Sequence, residues 1–176
     1  MHVNGIAKAA AKLGYTGVIP TLSPEAQKAF ADPYAQRWHP GSVMFDFSNA
    51  LVALHGPDAL ETHSYEMTKS SFGAALRPLI SVALALMGGN PSALFARVGD
   101  GLSLALRGVR VKWRGEDRTL TIQYPSPLPD AAVASWRGVL RFLFELAKHP
   151  EGRLEAHTFS ADRRTLTLVL GWPPAT

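Results

Sequence analysis

The feature that most constrains this chain is a change of hydrophobic period near residue 108. Before it, apolar residues recur at helical spacing; after it, they alternate with polar ones. The run Gly108-Val-Arg-Val-Lys-Trp-Arg114 alternates apolar and basic residues, as a half-buried strand does. Glu116-Asp117 marks a turn, and Thr119 to Tyr124 is the returning strand. A second hairpin follows, Arg153 to Phe159 and Thr165 to Trp172, around Ala161-Asp162-Arg163. The two hairpins echo each other. An acidic–basic turn precedes Thr119-Leu-Thr-Ile122 in one and Thr165-Leu-Thr-Leu168 in the other. Between them, Pro125 to Asp130 reads as a stiff linker ending in an N-cap. A helix is expected from Ala131 to Lys148, with Val133, Trp136, Leu140, Leu143, Phe144 and Ala147 on one face. A lone hairpin is marginal in water, so two hairpins should join into one sheet. The reading is an α+β fold: a helical N-terminal half, then a ββαββ unit forming a four-stranded antiparallel sheet with the helix on one face.

The first half carries helix punctuation throughout. Lys8 to Leu13 is Ala-rich and Gly14 can stop it. Ser23-Pro24-Glu25 is a helix start, with Ser as cap and Pro in the first turn, and that helix should end near Asp32-Pro33. Trp38-His39-Pro40-Gly41 reads as a turn. A helix is expected from Ser42 to His55, and another, capped by Asp58, to about Phe72. Leu76 to Met87 is apolar nearly all round, which predicts a buried helix. Asn90-Pro91-Ser92 starts one more, to about Leu106. Residues 1–40 are read as an N-terminal helical segment or arm, and residues 41–176 as the main domain.

Composition narrows the chemistry. Of 176 residues, 47% are apolar and 18% charged, below the usual share of about a quarter. The chain can therefore bury a core and is not a solvated, disordered one. It has no Cys, which excludes disulfides, thiolate metal sites and a cysteine nucleophile. The net charge of +4 is uneven. Residues 1–88 hold six Lys/Arg and six Asp/Glu, so residues 89–176 hold twelve of the 18 basic and eight of the 14 acidic residues. No signal peptide is read at the N-terminus. The longest uncharged stretch, Pro78 to Ala96, is split at Gly88-Gly89-Asn90-Pro91 into pieces too short to span a bilayer. The expectation is a cytoplasmic protein without a membrane segment, as a monomer or homodimer.

The usual catalytic constellations are missing. No two of the six His fall at i,i+3 or i,i+4, and no zinc or metalloprotease spacing occurs, so the histidines read as surface or capping residues. No Gly-x-Ser-x-Gly elbow and no phosphate-cradling Gly-rich loop with Lys-Ser/Thr is present. The chain is read as a non-enzyme with no metal site. Two clusters remain as binding candidates. Arg110, Lys112 and Arg114 share one strand face, and Arg137 and Arg141 lie one turn apart on the following helix. Together they would suit an anionic ligand, an acidic partner or nucleic acid, or they simply solvate a surface. Nucleic acid would favour aromatics among the cations, and Trp113 points the other way. Trp38 and His39 sit where aromatics could line a pocket mouth.

The ββαββ ending after a helical half resembles a ligand-binding superfamily. It comprises the haem–nitric-oxide-binding (H-NOX-like) domains and the vinyl-reductase-type small-molecule-binding domains. A myxobacterial family of about this length, distantly similar to that superfamily, resembles the chain more closely. The carriers, over roughly residues 40–172, are the segment Gly56-Pro57 to Phe72-Gly73, Leu86-Met87-Gly88-Gly89 with the helix after it, and Trp136-Arg-Gly-Val-Leu140 with the terminal hairpin. The haem-binding members hold the haem propionates with a Tyr-x-Ser-x-Arg signature. Here Tyr124 and Ser126 match, but Leu128 stands in the Arg position. Those members also carry a proximal His on the helix before the first hairpin, and Ser92 to Leu106 contains none. Without an axial ligand the iron is not held, and without the Arg the propionates lose a bidentate clamp. The resemblance thus implies the fold, argues against haem and leaves no cofactor. It points to a regulatory, sensor-like or scaffold domain in bacterial signalling. Such a domain would bind a small apolar ligand near Tyr124, Ser126, Trp38 and His39, or a protein partner. The alternative is a basic anion- or nucleic-acid-binding module in the C-terminal half.

Overall fold

The computed structural model describes residues 3–32, 39–73, 90–97 and 108–173. The chain divides into two compact units. The first contains Met1–Gly73 and Pro129–Val139; the second contains Ala74–Leu128 and Leu140–Thr176.

The first unit is helical. Helix α1 spans Val3–Leu13, starting earlier than the Ala run because Val3 and Ile6 are buried with Ala9 and Ala10. A 3-10 helix, Thr16–Thr21, follows; the sequence reading had not placed it. Helix α2, Pro24–Phe30, begins as expected: Ser23 Oγ accepts from the Ala26 amide, with Pro in the first turn. Helix α3 spans Gly41–His55 and α4 Pro57–Gly73. Their junction is Gly56, at φ 83°, whose amide closes α3 on the Val52 carbonyl. That left-handed conformation suits glycine, and Pro57 can then open a helix that needs no amide donor. Asp58 therefore lies in the first turn of α4 rather than capping it, where its charge still favours the positive helix end. Val3, Ile6, Val18, Leu22, Val43, Phe47, Leu51 and Leu60 form one core. The predicted helix over Leu76 to Met87 lies outside the described residues.

The second unit holds the sheet. Residues 91–97 form α5, and the rest of that predicted helix lies outside the described residues. Strands β1 (Arg110–Arg114), β2 (Thr119–Gln123), β3 (Arg153–Phe159) and β4 (Thr165–Gly171) form one antiparallel sheet in the order β1-β2-β4-β3. Helix α6, Ala131–Leu146, joins the hairpins in sequence, so the ββαββ expectation holds. Register sorts the two faces. Across the strands run Val111, Ile122, Leu166 and Phe159, then Trp113, Leu120, Leu168 and His157. The other face carries Lys112, Thr121, Thr167 and Thr158, flanked by Arg110 with Gln123 and Thr165. Leu120, Ile122, Leu166 and Leu168 are fully buried, and Leu140, Leu143 and Phe144 of α6 belong to the same unit's core.

In the first unit, α6 passes very close to α4. A Cβ on Gly138 would stand 2.1 Å from the Glu61 carbonyl oxygen, 2.7 Å from the Tyr65 amide nitrogen and 2.9 Å from Ser64 Cβ. Ser64 and Ser135 share a hydroxyl–hydroxyl bond of 3.0 Å beside it. Backbone atoms cannot step aside as a side-chain tip can. Gly138→Ala is therefore expected to destabilise the protein by about 1–3 kcal/mol, in spite of alanine's better helix propensity. Urea unfolding of the two proteins measures it; a neutral or stabilising substitution would contradict the close approach.

Candidate functional site

The loop from Tyr124 to Leu128 is the segment that the resemblance singles out, and the β3–β4 turn holds it at both ends. The Tyr124 amide donates to the Arg164 carbonyl at 2.8 Å, and the Leu128 amide to the Arg163 carbonyl at 2.8 Å. Arg163 returns the bond: its Nε donates to the Leu128 carbonyl at 2.9 Å. Its guanidinium carbon lies 4.3 Å from the centroid of the Phe159 ring, a cation–π distance. Arg163 can turn back this way because it sits at φ 56° in a tight turn. The turn is built by Asp162, which accepts from Ser160 Oγ at 2.5 Å and from the Arg164 amide at 3.0 Å. The Ser160 hydroxyl, then the Arg164 amide, hold the Asp162 carboxyl below the usual carboxylate range.

Within that frame the matched residues differ. Tyr124 is buried and Ser126 is exposed. Leu128 is 2% exposed, an apolar side chain in the core where the haem-binding signature has its cation. The loop thus lacks the donor set of the propionate clamp. The Arg163 guanidinium, which is bonded to it, is engaged by the Leu128 carbonyl and the Phe159 ring. Of the other pocket candidates, Trp38 lies outside the described residues. His39 is half-buried, with Nε2 3.8 Å from Asp32 Oδ2.

The basic candidates separate. Arg110, Lys112 and Arg114 are all exposed on one face of β1, as the alternation predicts. Arg114 is held by Asp117 through a forked pair whose Nε bond measures 2.9 Å. The Arg114 side chain accordingly keeps the Asp117 carboxyl below its usual range. Arg137 and Arg141 are exposed on α6, but Arg137 falls in the first unit and Arg141 in the second.

Besides the role of Arg163, sequence reasoning missed three groups. Phe95, Trp113, Phe144 and Trp172 form an aromatic cluster, with Phe95 5.1 Å from Trp113, 5.3 Å from Phe144 and 6.1 Å from Trp172. Arg118 stacks its guanidinium 4.3 Å from the Trp172 ring and donates to the Trp172 carbonyl at 2.8 Å. The third is His63, which is buried at 2% exposure and is not a surface or capping residue. A position facing the core on the helical pattern of α4 was the available signal. Among the described residues no group of three or more His, Asp or Glu could hold a metal ion, and no helix is long and apolar enough to cross a membrane.

No known family profile matches the chain, and no curated protein matches it by sequence. Solved structures do. An Fe(II) unliganded H-NOX protein from K. algicida is 12% identical, with a TM-score of 0.63 over 99% of this chain and 98% of that one. A single-site mutant of the same protein is 13% identical, with a TM-score of 0.64 over 99% and 97%. An H-NOX protein from S. oneidensis in its Fe(II)NO state is 10% identical, with a TM-score of 0.52 over 97% of each chain. Identities this low speak for architecture and not for chemistry: the chain has an H-NOX-like α+β fold.

Proposed function

We propose that the protein is a non-enzymatic, sensor-like or scaffold domain of H-NOX-like fold that works without haem. It binds a small apolar ligand or a protein partner. The observation that supports the haem-less reading most is Leu128, buried and apolar where a propionate-binding domain needs a cation. The sequence adds that Ser92 to Leu106 contains no His to serve as an axial ligand. The likeness to H-NOX proteins supports a ligand-binding or signalling role over catalysis.

Native mass spectrometry and absorption of the protein as purified test this directly. The expected result is a bare chain or a chain retaining an apolar molecule, with no Soret band. A retained apolar molecule favours the ligand version, and a bare chain favours the partner version. A stoichiometric iron–porphyrin mass overturns the haem-less reading.

Restoring the missing cation should not restore haem binding. Leu128→Arg places a second guanidinium beside Arg163 at a position that is 2% exposed, an expected loss of about 3 kcal/mol or more. The unfolding midpoint should drop, and titration with hemin should still give no stable Soret complex. A tight complex in this variant would show that the clamp alone was lacking and that an axial ligand exists elsewhere.

A second reading, an anion- or nucleic-acid-binding surface, draws on the exposed Arg110 and Lys112 beside a row of Thr hydroxyls. Binding to an oligonucleotide would then weaken as salt rises, with a small slope because few phosphates are contacted. Fluorescence anisotropy at low and physiological salt checks it. No binding at low salt, or binding unchanged by Arg110→Ala with Lys112→Ala, removes this reading.

A further inference from the structure

The geometry points to His63 as an acid-sensitive latch: when the imidazole takes up a proton, it releases helix α1 from α4. His63 lies on α4, and its Nε2 is 3.0 Å from the Ile6 carbonyl oxygen of α1. Its ring packs on Phe47 of α3, with centroids 4.9 Å apart. One titratable side chain, 2% exposed, therefore ties α4 to both α1 and α3.

A carbonyl can only accept, so in the neutral ring Nε2 carries the hydrogen and donates it to Ile6. The added proton must then go to Nδ1, the ring nitrogen that does not face the Ile6 carbonyl. The result is a charge on a ring that is 2% exposed and abuts Ile6 and Phe47 of the apolar core. The surrounding charged groups do not offset it. On α1 these are Lys8 and Lys12, and Lys12 is bonded to Glu66 at 2.5 Å. On α3, Asp46 accepts from the Ser23 amide, and His55 rests against Tyr15 with ring centroids 5.1 Å apart. On α4 itself, Asp58, Glu61, Glu66 and Lys69 make no described bond to the imidazole. Burial lowers the His63 pKa from 6.5, and the Ile6 bond only partly opposes that shift.

The sign follows. With the docked pKa depressed, docking is fully favoured above the free value of 6.5 and weakens as pH falls toward the docked pKa. Over that window the undocked fraction rises by up to about tenfold per pH unit. Carboxylates in general ionise well below the window, so acidic ion pairs persist while the latch opens. The sheet is spared, because its strands contain no buried imidazole: their one histidine, His157, is exposed.

Hydrogen-exchange protection, corrected for intrinsic pH dependence, tests this between pH 7.5 and 5. Amides of α1 should lose protection as pH falls below 6.5 while those of β2 and β4 keep theirs. His63→Gln keeps a neutral donor for the Ile6 carbonyl and should abolish the pH dependence. Unchanged α1 protection, loss shared equally by β2 and β4, or the same loss in His63→Gln overturns the latch. If the variant does not fold, NMR titration of the wild-type imidazole decides: a His63 C2 proton titrating at or above 6.5 overturns it.

Discussion

The sheet depends on strict alternation along β1. Arg110, Lys112 and Arg114 occupy every second position of a five-residue strand, with Val111 and Trp113 between them. A slip of one residue against β2 would turn three cations toward the face that buries Leu120, Ile122, Leu166 and Leu168. Each buried, unpaired cation costs several kcal/mol, so the slipped register is far above the native one. The same residues manage the sheet edge. The order β1-β2-β4-β3 leaves β1 at one margin, and a row of cations there discourages a second copy from pairing with it. At the other margin, β3 carries a register shift between Leu154 and Ala156, a second known device against edge pairing.

With the register set, the turns become anchoring points rather than loose ends. Arg118 and Arg163 both adopt positive φ, at 52° and 56°, in the two turns that the sequence echoes. Each then turns its guanidinium onto an aromatic ring and a backbone carbonyl: Arg118 onto Trp172, Arg163 onto Phe159 and Leu128. The echo in sequence is therefore an echo in mechanism. A left-handed Arg closes the hairpin and fastens a neighbouring segment. In the second hairpin that segment is the 124–128 loop, where the resemblance to haem-binding domains and the departure from them coincide.

What was legible in the sequence was local. Both hairpins, α6 and the α3–α4 break at Gly56-Pro57 can be read from alternation, helical spacing and punctuation, because each is decided within about a dozen residues. The 3-10 turn at Thr16–Thr21 was not, since Gly17 and Pro20 mark a break without specifying its form. His63 was not, because its partner is 57 residues away and its burial depends on how α1, α3 and α4 pack. Arg163 was not, because its role needs a left-handed backbone and a loop 35 residues distant. At the candidate site, the matches Tyr124 and Ser126 and the mismatch Leu128 were visible, while the burial that gives Leu128 its meaning was not.

The uneven charge takes on a different sense in three dimensions. All of the net +4 falls in residues 89–176, which by itself suggests a field for attracting anions. Yet several of those cations are engaged locally. Arg114 is forked on Asp117, Arg118 lies on Trp172, Arg163 lies on Phe159, and Arg153 stands 3.8 Å from Glu155. A guanidinium over a ring still carries its charge, but the donor it gives to a carbonyl is committed and holds it in place. It can no longer reorganise around an incoming phosphate as an unengaged side chain does. Arg suits this work better than Lys because its planar fork can stack on a ring and bond a carbonyl at once. The composition is in keeping with that division: the cations that hold the hairpin turns are all Arg, while Lys112 stands on the exposed face of β1. The basic character of the second half is thus in part a property of how its hairpins are closed.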